Sequence, residues 1–295
     1  RFEGVSINSK KVKKNNLFIA IKGKNYDGHI FVKEALKNKA SYCVVQKHIN
    51  KLNRKKLIKY TSTINFLTKL AILKRSNINL RVIAITGSSG KTTLKTSLGK
   101  TLNNYGKTYF SQKSYNNHIG VPLSLCNLEN DHKYGVFEIG MSNAGEIRNL
   151  SNLVKPDIAI ITNIGEAHAE NFNNLNDIVK AKSEIIENIN KDGYLILNRD
   201  DKYFNYLSKL AREKKINVLS FGKSHKSNAK LVKNKLYKNY NNLHFRVLNE
   251  NIYLRVKNVN PLIISNIMFT LLTLHVLDLD LKKIINFSDY FQLAE

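Results

Sequence analysis

The sequence predicts an α/β chain of two domains. A small N-terminal α/β domain covers residues 1–77, and a P-loop-type domain covers residues 80–295, built on a mainly parallel sheet with helices on both faces. Three observations carry this. From Arg81 onward short apolar runs alternate with helix-patterned runs, the signature of parallel strands joined by crossover helices. The run Val82–Thr93, VIAITGSSGKTT, reads as a strand, a Gly-rich turn and a helix start. Upstream, a separate α/β pattern closes on the polar stretch Lys74–Asn79, which reads as a linker.

Taken in order, the first domain offers the strand LFIAI (17–21), a turn over 22–28, the helix FVKEALKNKA (31–40) and the strand SYCVVQ (41–46). The second begins with VIAIT (82–86), the helix TLKTSLGKTLNNY (93–105), KTYF (107–110) and YGVFEI (134–139). It continues with the helix GEIRNLSNLV (145–154), DIAIIT (157–162), a helix over 175–189, YLILN (194–198), a helix over 201–214 and NVLSF (217–221). Shorter strands around LHFRVL (243–248) and IYLRV (252–256) precede an apolar helix over 261–277.

Composition bounds the function class. Hydrophobic residues make up 42% and charged residues 24%, ordinary values for a folded globular chain. No apolar run approaches the roughly 18 to 20 residues that span a bilayer, and residues 1–14 lack the apolar core of a signal peptide, so a cytoplasmic protein without membrane insertion is expected. Cys43 and Cys126 sit inside apolar runs without metal-ligand spacing and read as buried thiols. The 48 Lys+Arg against 22 Asp+Glu give +26, which on its face suggests nucleic acid. The excess is mostly Lys scattered beside Asn and Ile, with no Trp, so a solvated basic surface is the simpler reading and no nucleic-acid partner is expected.

The chemistry concentrates in the Gly-rich turn. Gly87 and Gly90 let backbone wrap close to phosphate oxygens, amides at the helix start face the anion, Lys91 reaches the terminal phosphates, and the Thr92 hydroxyl can ligate Mg2+. A glycine expected five positions before Gly90 is replaced by Ile85, leaving the shorter TGxxGKT form. Glu138 ends an apolar strand, which in a parallel sheet puts it at the carboxyl edge beside that loop. Alone it would read as a solvated end residue, but next to a phosphate loop it reads as an oxygen ligand for Mg2+. The following strand delivers His168 to the same edge; a loop histidine is usually a surface residue and an uncommon Mg2+ ligand. Lys182 lies in the helical run VKAKSEI, where sequence physics does not choose it over its neighbours.

These residues resemble the Mur ligases, a family that includes folylpolyglutamate synthetase and joins a carboxylate to an amine through an acyl phosphate. TGxxGKT is that family's hallmark. YNNHIGVPLSL (115–125), EIGMSNAGEIRNL (138–150), ITNIGEAHAENF (161–172) and AKSEI (181–185) resemble its D-alanyl-D-alanine-adding branch, and SINSKKVKKNNLFIAIKG with DGHIF resembles its UDP-sugar-binding module.

The resemblance implies an ATP-dependent amide-bond ligase of peptidoglycan precursor synthesis, adding D-alanyl-D-alanine to UDP-MurNAc-tripeptide, and a monomer is expected. Gly87, Ser88, Ser89, Gly90, Lys91, Thr92 and Thr93 would bind ATP, with Asn266 contacting adenine. Thr92, Glu138, His168 and a carbamylated Lys182 would serve two Mg2+ ions; the carbamate turns a cation into a carboxylate-like ligand. Asn116 and Asn117 would lie near the muramyl peptide, and Asn8, Ser9, Lys10, Asp27, Gly28 and His29 near the nucleotide sugar. Departures from the pattern are Asn8 and Lys10, where the family has Asp and Arg around the serine, Lys113 and Ser114 in place of Gly-Asn, and Leu262 and Ile263 in place of His-Asn. The family's third, C-terminal domain is expected to be absent from these 295 residues. Rival readings are a ligase of the same chemistry with another acceptor or a folate-type donor, and a nucleic-acid-binding NTPase.

Overall fold

The structure is a computed structural model that describes residues 2–23, 26–47, 49–50, 52–111, 113–165, 171–172 and 174–291. Its contacts divide the chain into two compact units, Arg1–Ile78 with His118–Asn130, and Asn79–Asn117 with Asp131–Glu295.

The first unit holds a four-stranded parallel sheet in the order β1 (Gly4–Ser6), β2 (Asn16–Ile19), β3 (Tyr42–Val45), β4 (Leu57–Lys59). Helix α1 (Val32–Lys37) crosses from β2 to β3, and Phe18, Ala20, Val32, Ala35, Cys43 and Val45 make one buried cluster. Helix α2 (Thr63–Ser76) starts where the Ser62 hydroxyl accepts from the Asn65 amide at 3.2 Å. It buries Thr63, Leu67 and Ala71, a spacing of one residue per turn on a single face. Its last turn takes in Lys74–Ser76, so the polar stretch expected to be a linker is helical over its first half.

In the second unit β5 (Arg81–Thr86) feeds α3 (Lys91–Leu102) and β6 (Thr108–Phe110). The next helix, α4 (Gly120–Cys126), is wholly buried and corrects the expected boundary: it belongs to the first unit. The Val5 amide donates to Asn127 Oδ1, the Asn127 amide group returns a bond to Val5 O, both at 3.0 Å, and the Cys126 thiol faces Leu67 O at 3.7 Å. Cys43 and Cys126 are free, buried thiols, each pushed up to about 12 by burial.

Beyond α4 come β7 (Tyr134–Glu138), α5 (Glu146–Val154), β8 (Ile158–Ile161), α6 (Leu175–Ser183), β9 (Tyr194–Asn198), α7 (Phe204–Glu213) and β10 (Asn217–Phe221). Strands β11 (Ala229–Tyr237), β12 (Tyr240–Val247) and β13 (Glu250–Val256) then lead into α8 (Pro261–Val276). The nine strands run in the order β13-β12-β11-β10-β9-β8-β5-β7-β6, parallel from β6 to β11 and antiparallel from β11 to β13. Strand β5 lies between β7 and β8, so the connections leave it in opposite directions and open a crevice at its carboxyl end.

Ile83, Ile85, Ile158, Ile160 and Ile196 pack with Leu94 and Leu98 of α3 and with Ile267 and Leu271 of α8. Strand alternation turns the buried Val82, Ala84, Ala159 and Leu195 to the opposite face, where α5 meets β5 and α7 meets β9. The helix expected over 175–189 changes to 3₁₀ geometry across Glu184–Asn188, because the Glu184 carboxylate is drawn to the start of α5, accepting from the Gly145 and Arg148 amides at 2.7 and 3.0 Å. Among the described residues no helix is long and apolar enough to cross a membrane.

Candidate active site

The Gly-rich turn has the backbone its sequence demands. Gly87 has φ +143° and Gly90 φ +77°, and a Cβ on Gly87 would collide with the Thr162 hydroxyl, so neither position accepts a side chain without distortion. Gly90 caps α3, whose first intrahelical bond is Leu94 N to Gly90 O at 2.9 Å. The amides of Gly90, Lys91, Thr92 and Thr93 therefore have no acceptor inside the helix and are set for an anion.

The other two loop amides are already engaged. Asn163, just after β8, accepts with Oδ1 from the amides of Ser88 and Ser89 at 3.1 and 3.0 Å, and its own amide group donates to Ser89 Oγ at 2.7 Å. Thr162 donates its hydroxyl to Ser89 O at 2.7 Å, and Ser88 exchanges bonds with the backbone of Gly165. The loop is thus shaped by the segment after β8. Lys91 folds back in this conformation, donating to Gly87 O at 2.7 Å, and burial lowers its pKa against the opposing pull of Glu138.

Glu138 sits at the end of β7, buried, and joins three elements. Its Oε2 accepts from the Thr92 hydroxyl at 2.8 Å and lies 3.5 Å from Lys95 Nζ, while its Oε1 accepts from Asn116 Nδ2 at 2.8 Å. The Gly140 amide donates to Asn116 O at 2.8 Å, which ties the 113–117 loop to the strand end. Ser114, one of the departures from the family pattern, still reaches the phosphate loop, its hydroxyl 3.1 Å from Thr92 Oγ1, and Lys113 O accepts from Lys95 at 2.8 Å. Asn117 is exposed beside this cluster.

Hydroxyl and carboxylate oxygens at hydrogen-bond distance are the donors that Mg2+ prefers, so Thr92 and Glu138 fit one. Among the described residues no group of three His, Cys, Asp or Glu side chains converges, so a metal here would take most of its ligands from phosphate and water. Lys182 on α6 is 2% exposed with no hydrogen-bond partner among the described residues, and burial, then the charge of Lys91, brings its pKa down to about 8. His168 lies outside the described residues.

In the first unit the expected residues shape turns. Asn8 Oδ1 accepts from the Lys10 amide at 3.0 Å, and Ser9 donates to Glu34 Oε2 at 2.6 Å, leaving the Lys10 side chain exposed. His29 is 8% exposed with both ring nitrogens used: Nε2 accepts from the Gln46 amide at 2.9 Å, so Nδ1 carries the proton toward Asp27. Asp27 is held below the usual carboxylate range by the His29 amide and ring. The Gly28 amide donates to Ile21 O at 2.8 Å. On α8, Leu262 abuts Gly90, and Asn266 one turn further is 2% exposed, closed to an incoming base in this conformation.

Lys95 and Asn163 carry this site and were not anticipated. Lys95 had a signal, since four residues after Lys91 it shares its helix face. Asn163 had only its place, directly after an apolar strand that ends at the same sheet edge.

Residues 85–274 match the Mur ligase middle domain, and residues 1–75 match the Mur ligase family, catalytic domain. The UDP-N-acetylmuramoyl-tripeptide–D-alanyl-D-alanine ligase of Rickettsia prowazekii (strain Madrid E) is 35% identical over 94% of this chain and 62% of its own length. The ligase of the same name from Buchnera aphidicola subsp. Baizongia pistaciae is 34% identical over 75% of this chain and 48% of its own. Among solved structures, MurF from Acinetobacter baumannii superposes with a TM-score of 0.86 at 28% identity, covering 99% of this chain and 63% of that one. MurF from Thermotoga maritima in complex with ADP gives 0.80 at 29% identity, covering 94% and 64%. The chain thus spans less than two thirds of the length of these relatives. Their agreement with a TGxxGKT loop, a strand-end Glu138 and a doubly wound sheet, and the two domain matches above all, place the chain in the Mur ligase family.

Proposed function

We propose that this chain handles ATP and a nucleotide-sugar peptide within an ATP-dependent amide-bond ligase that joins D-alanyl-D-alanine to UDP-MurNAc-tripeptide. The observation that carries the proposal is the sharing of Glu138: one oxygen meets the phosphate-loop hydroxyl of Thr92 and the other the amide of Asn116, in the loop assigned to the carboxylate substrate. The names of the Rickettsia and Buchnera relatives and the ADP complex of the Thermotoga protein support the substrate and nucleotide assignments.

A carboxylate does not condense with an amine in water unaided. In the proposed course a carboxylate oxygen of the tripeptide attacks the γ-phosphorus of ATP, and ADP leaves. The amine of D-alanyl-D-alanine then adds to the acyl carbon, loses a proton, and phosphate leaves as the amide forms. Amides Gly90–Thr93 hold the phosphates, and Lys91 exchanges Gly87 O for the terminal phosphate. Asn116 and Asn117 orient the carboxylate; fixed position and directed charge are most of what the protein contributes. Mg2+ held by Thr92 and Glu138, with a second ion served by His168 and carbamylated Lys182, would neutralise charge on the transferring phosphoryl. Asn8, Ser9 and Lys10 present the nucleotide-sugar site, with Asp27, Gly28 and His29 shaping its turn, and Asn266 contacts adenine once α8 admits it. A monomer in the cytoplasm is part of the proposal.

Calorimetric titration of the folded chain tests it. ATP with Mg2+ and UDP-MurNAc-tripeptide are expected to bind separately. Binding of ATP together with a folate-type carboxylate, and none of UDP-MurNAc-tripeptide, would move the assignment to another ligase, and polynucleotide-stimulated ATP hydrolysis would favour a nucleic-acid NTPase.

A further inference from the structure

The three antiparallel strands at the end of the large sheet have two unlike faces. Leu243, Phe245, Val247, Ile252, Leu254 and Val256 point into the core. The outward residues form cross-strand rows: Lys230, Arg246 and Asn251; Lys233, His244 and Tyr253; Lys235, Asn242 and Arg255; then Tyr237 opposite Tyr240. Five Lys or Arg side chains share this face, and no Asp or Glu stands in any row. The irregularity between Leu231 and Lys233 is what keeps Lys230 and Lys233 on the same side. A groove of about 900 Å3 runs over the face, bordered by Ile285.

The rings on this face pair with one another. Tyr237 and Tyr240 stack 6.1 Å apart at 10°, and His244 and Tyr253 stack 4.5 Å apart at 16°. Arg255 lies 4.4 Å over the Tyr240 ring and Lys235 4.9 Å over that of Tyr237. One face of each ring is therefore taken up by its stacking partner, and Tyr237 and Tyr240 are in addition covered by a cation, which reduces what a nucleobase could stack on. What remains outward is cationic heads, phenol groups and the exposed apolar side chain of Val232.

We propose that this face docks on a membrane surface bearing anionic phospholipids. The cations pair with headgroup phosphates, and the tyrosines, amphipathic side chains favoured at membrane–water boundaries, seat at headgroup depth. Each Lys or Arg near such a surface contributes about 1 kcal/mol, a factor of about five in partitioning, and the attraction decays within a Debye length of about 10 Å at 0.1 M salt. Because +26 would draw the whole chain to any polyanion, the claim is that these rows, and not overall charge, make the contact.

The test is flotation of the chain with vesicles of phosphatidylcholine alone or mixed with phosphatidylglycerol at low salt. Wild type is expected to float only with the mixed vesicles. The quadruple variant Lys233→Gln, Lys235→Gln, Arg246→Gln, Arg255→Gln is expected to lose roughly 100-fold or more in partitioning. A matched variant removing four exposed charges elsewhere, at Lys37, Lys47, Lys55 and Lys59, is expected to lose less than a tenth of that. Circular dichroism confirms that both variants are folded. The proposal is overturned if wild type stays in solution, if both quadruple variants lose binding equally, or if a single-stranded oligonucleotide competes off the vesicles and shows the same dependence on these four residues.

Discussion

Lys95 and Glu138 form a buried ion pair at the carboxyl edge of the sheet, Nζ to Oε2 3.5 Å, with side chains 0% and 2% exposed. Burial pulls the Lys95 ammonium down and Glu138 pulls it up. Two neutral acceptors, Lys113 O and Ser111 Oγ at 2.8 and 3.2 Å, complete its surroundings. The cation therefore fixes both the carboxylate that faces the phosphate loop and the start of the substrate loop.

Removing one partner of such a pair leaves the other charge buried and uncompensated. Lys95→Met is expected to lower unfolding free energy by about 3 kcal/mol. In a Glu138→Gln background the same change is expected to do so by at least ~1 kcal/mol less. Urea denaturation of the four proteins measures the coupling, and equal losses in both backgrounds would mean that the two groups do not act as a pair.

Asn163→Ala removes the side-chain acceptor of the Ser88 and Ser89 amides and leaves Ser88 its bond to the backbone carbonyl of residue 163 at 3.0 Å. Loss of the side-chain bonds that set the loop is expected to weaken ATP binding by roughly tenfold, in line with about 1 kcal/mol per hydrogen bond, while hydrogen exchange of the Ser89 amide accelerates. Unchanged exchange would show that another group holds the loop.

Lys91→Ala removes the loop's mobile cation. Its present partners are its own loop carbonyls, so stability should change little, whereas calorimetric affinity for ATP with Mg2+ should fall by roughly 100-fold. Wild-type affinity in the variant would separate this turn from phosphate binding.

What the sequence made legible follows local physics. The Gly87–Thr93 turn, the strands flanking it and Glu138 were readable because apolar runs and glycine requirements are local. Strand β11 was not, since only Ala229 is fully buried and lysines fill its outer positions, which hides the alternation. In α2 the exposed Ile72 and Leu73 blur the period set by Leu67 and Ala71. The membership of α4 in the first unit rests on contacts distant in sequence, such as Asn127 with Val5, which no window reveals. Asn163 and Lys95 belong to the same class: ordinary residues locally, whose partners come from other elements.

Lys182 gives the sharpest test, because its burial has two measurable consequences. An amine adds CO2 only when neutral. With its pKa near 8 against an ordinary 10.5, roughly a tenth of Lys182 is neutral at pH 7, where an ordinary lysine is neutral about once in three thousand. In 13C-bicarbonate the chain is expected to show a carbamate resonance that grows from pH 7 to about 8.5 and is missing in Lys182→Arg. In bicarbonate-free buffer the effect is on stability. The unfolded lysine keeps its proton up to about 10.5 and the folded one loses it near 8, so between these values the unfolded state binds more protons and stability rises with pH. Below pH 8 both states are protonated and the full penalty, on the order of 3 kcal/mol, is present. Lys182→Met removes the penalty, so its stability advantage over wild type should be largest below pH 8 and shrink toward pH 10. Urea denaturation of both proteins at pH 7, 9 and 10 measures this. A difference independent of pH, together with no carbamate signal, would make Lys182 an ordinary lysine and leave the second metal site without its ligand.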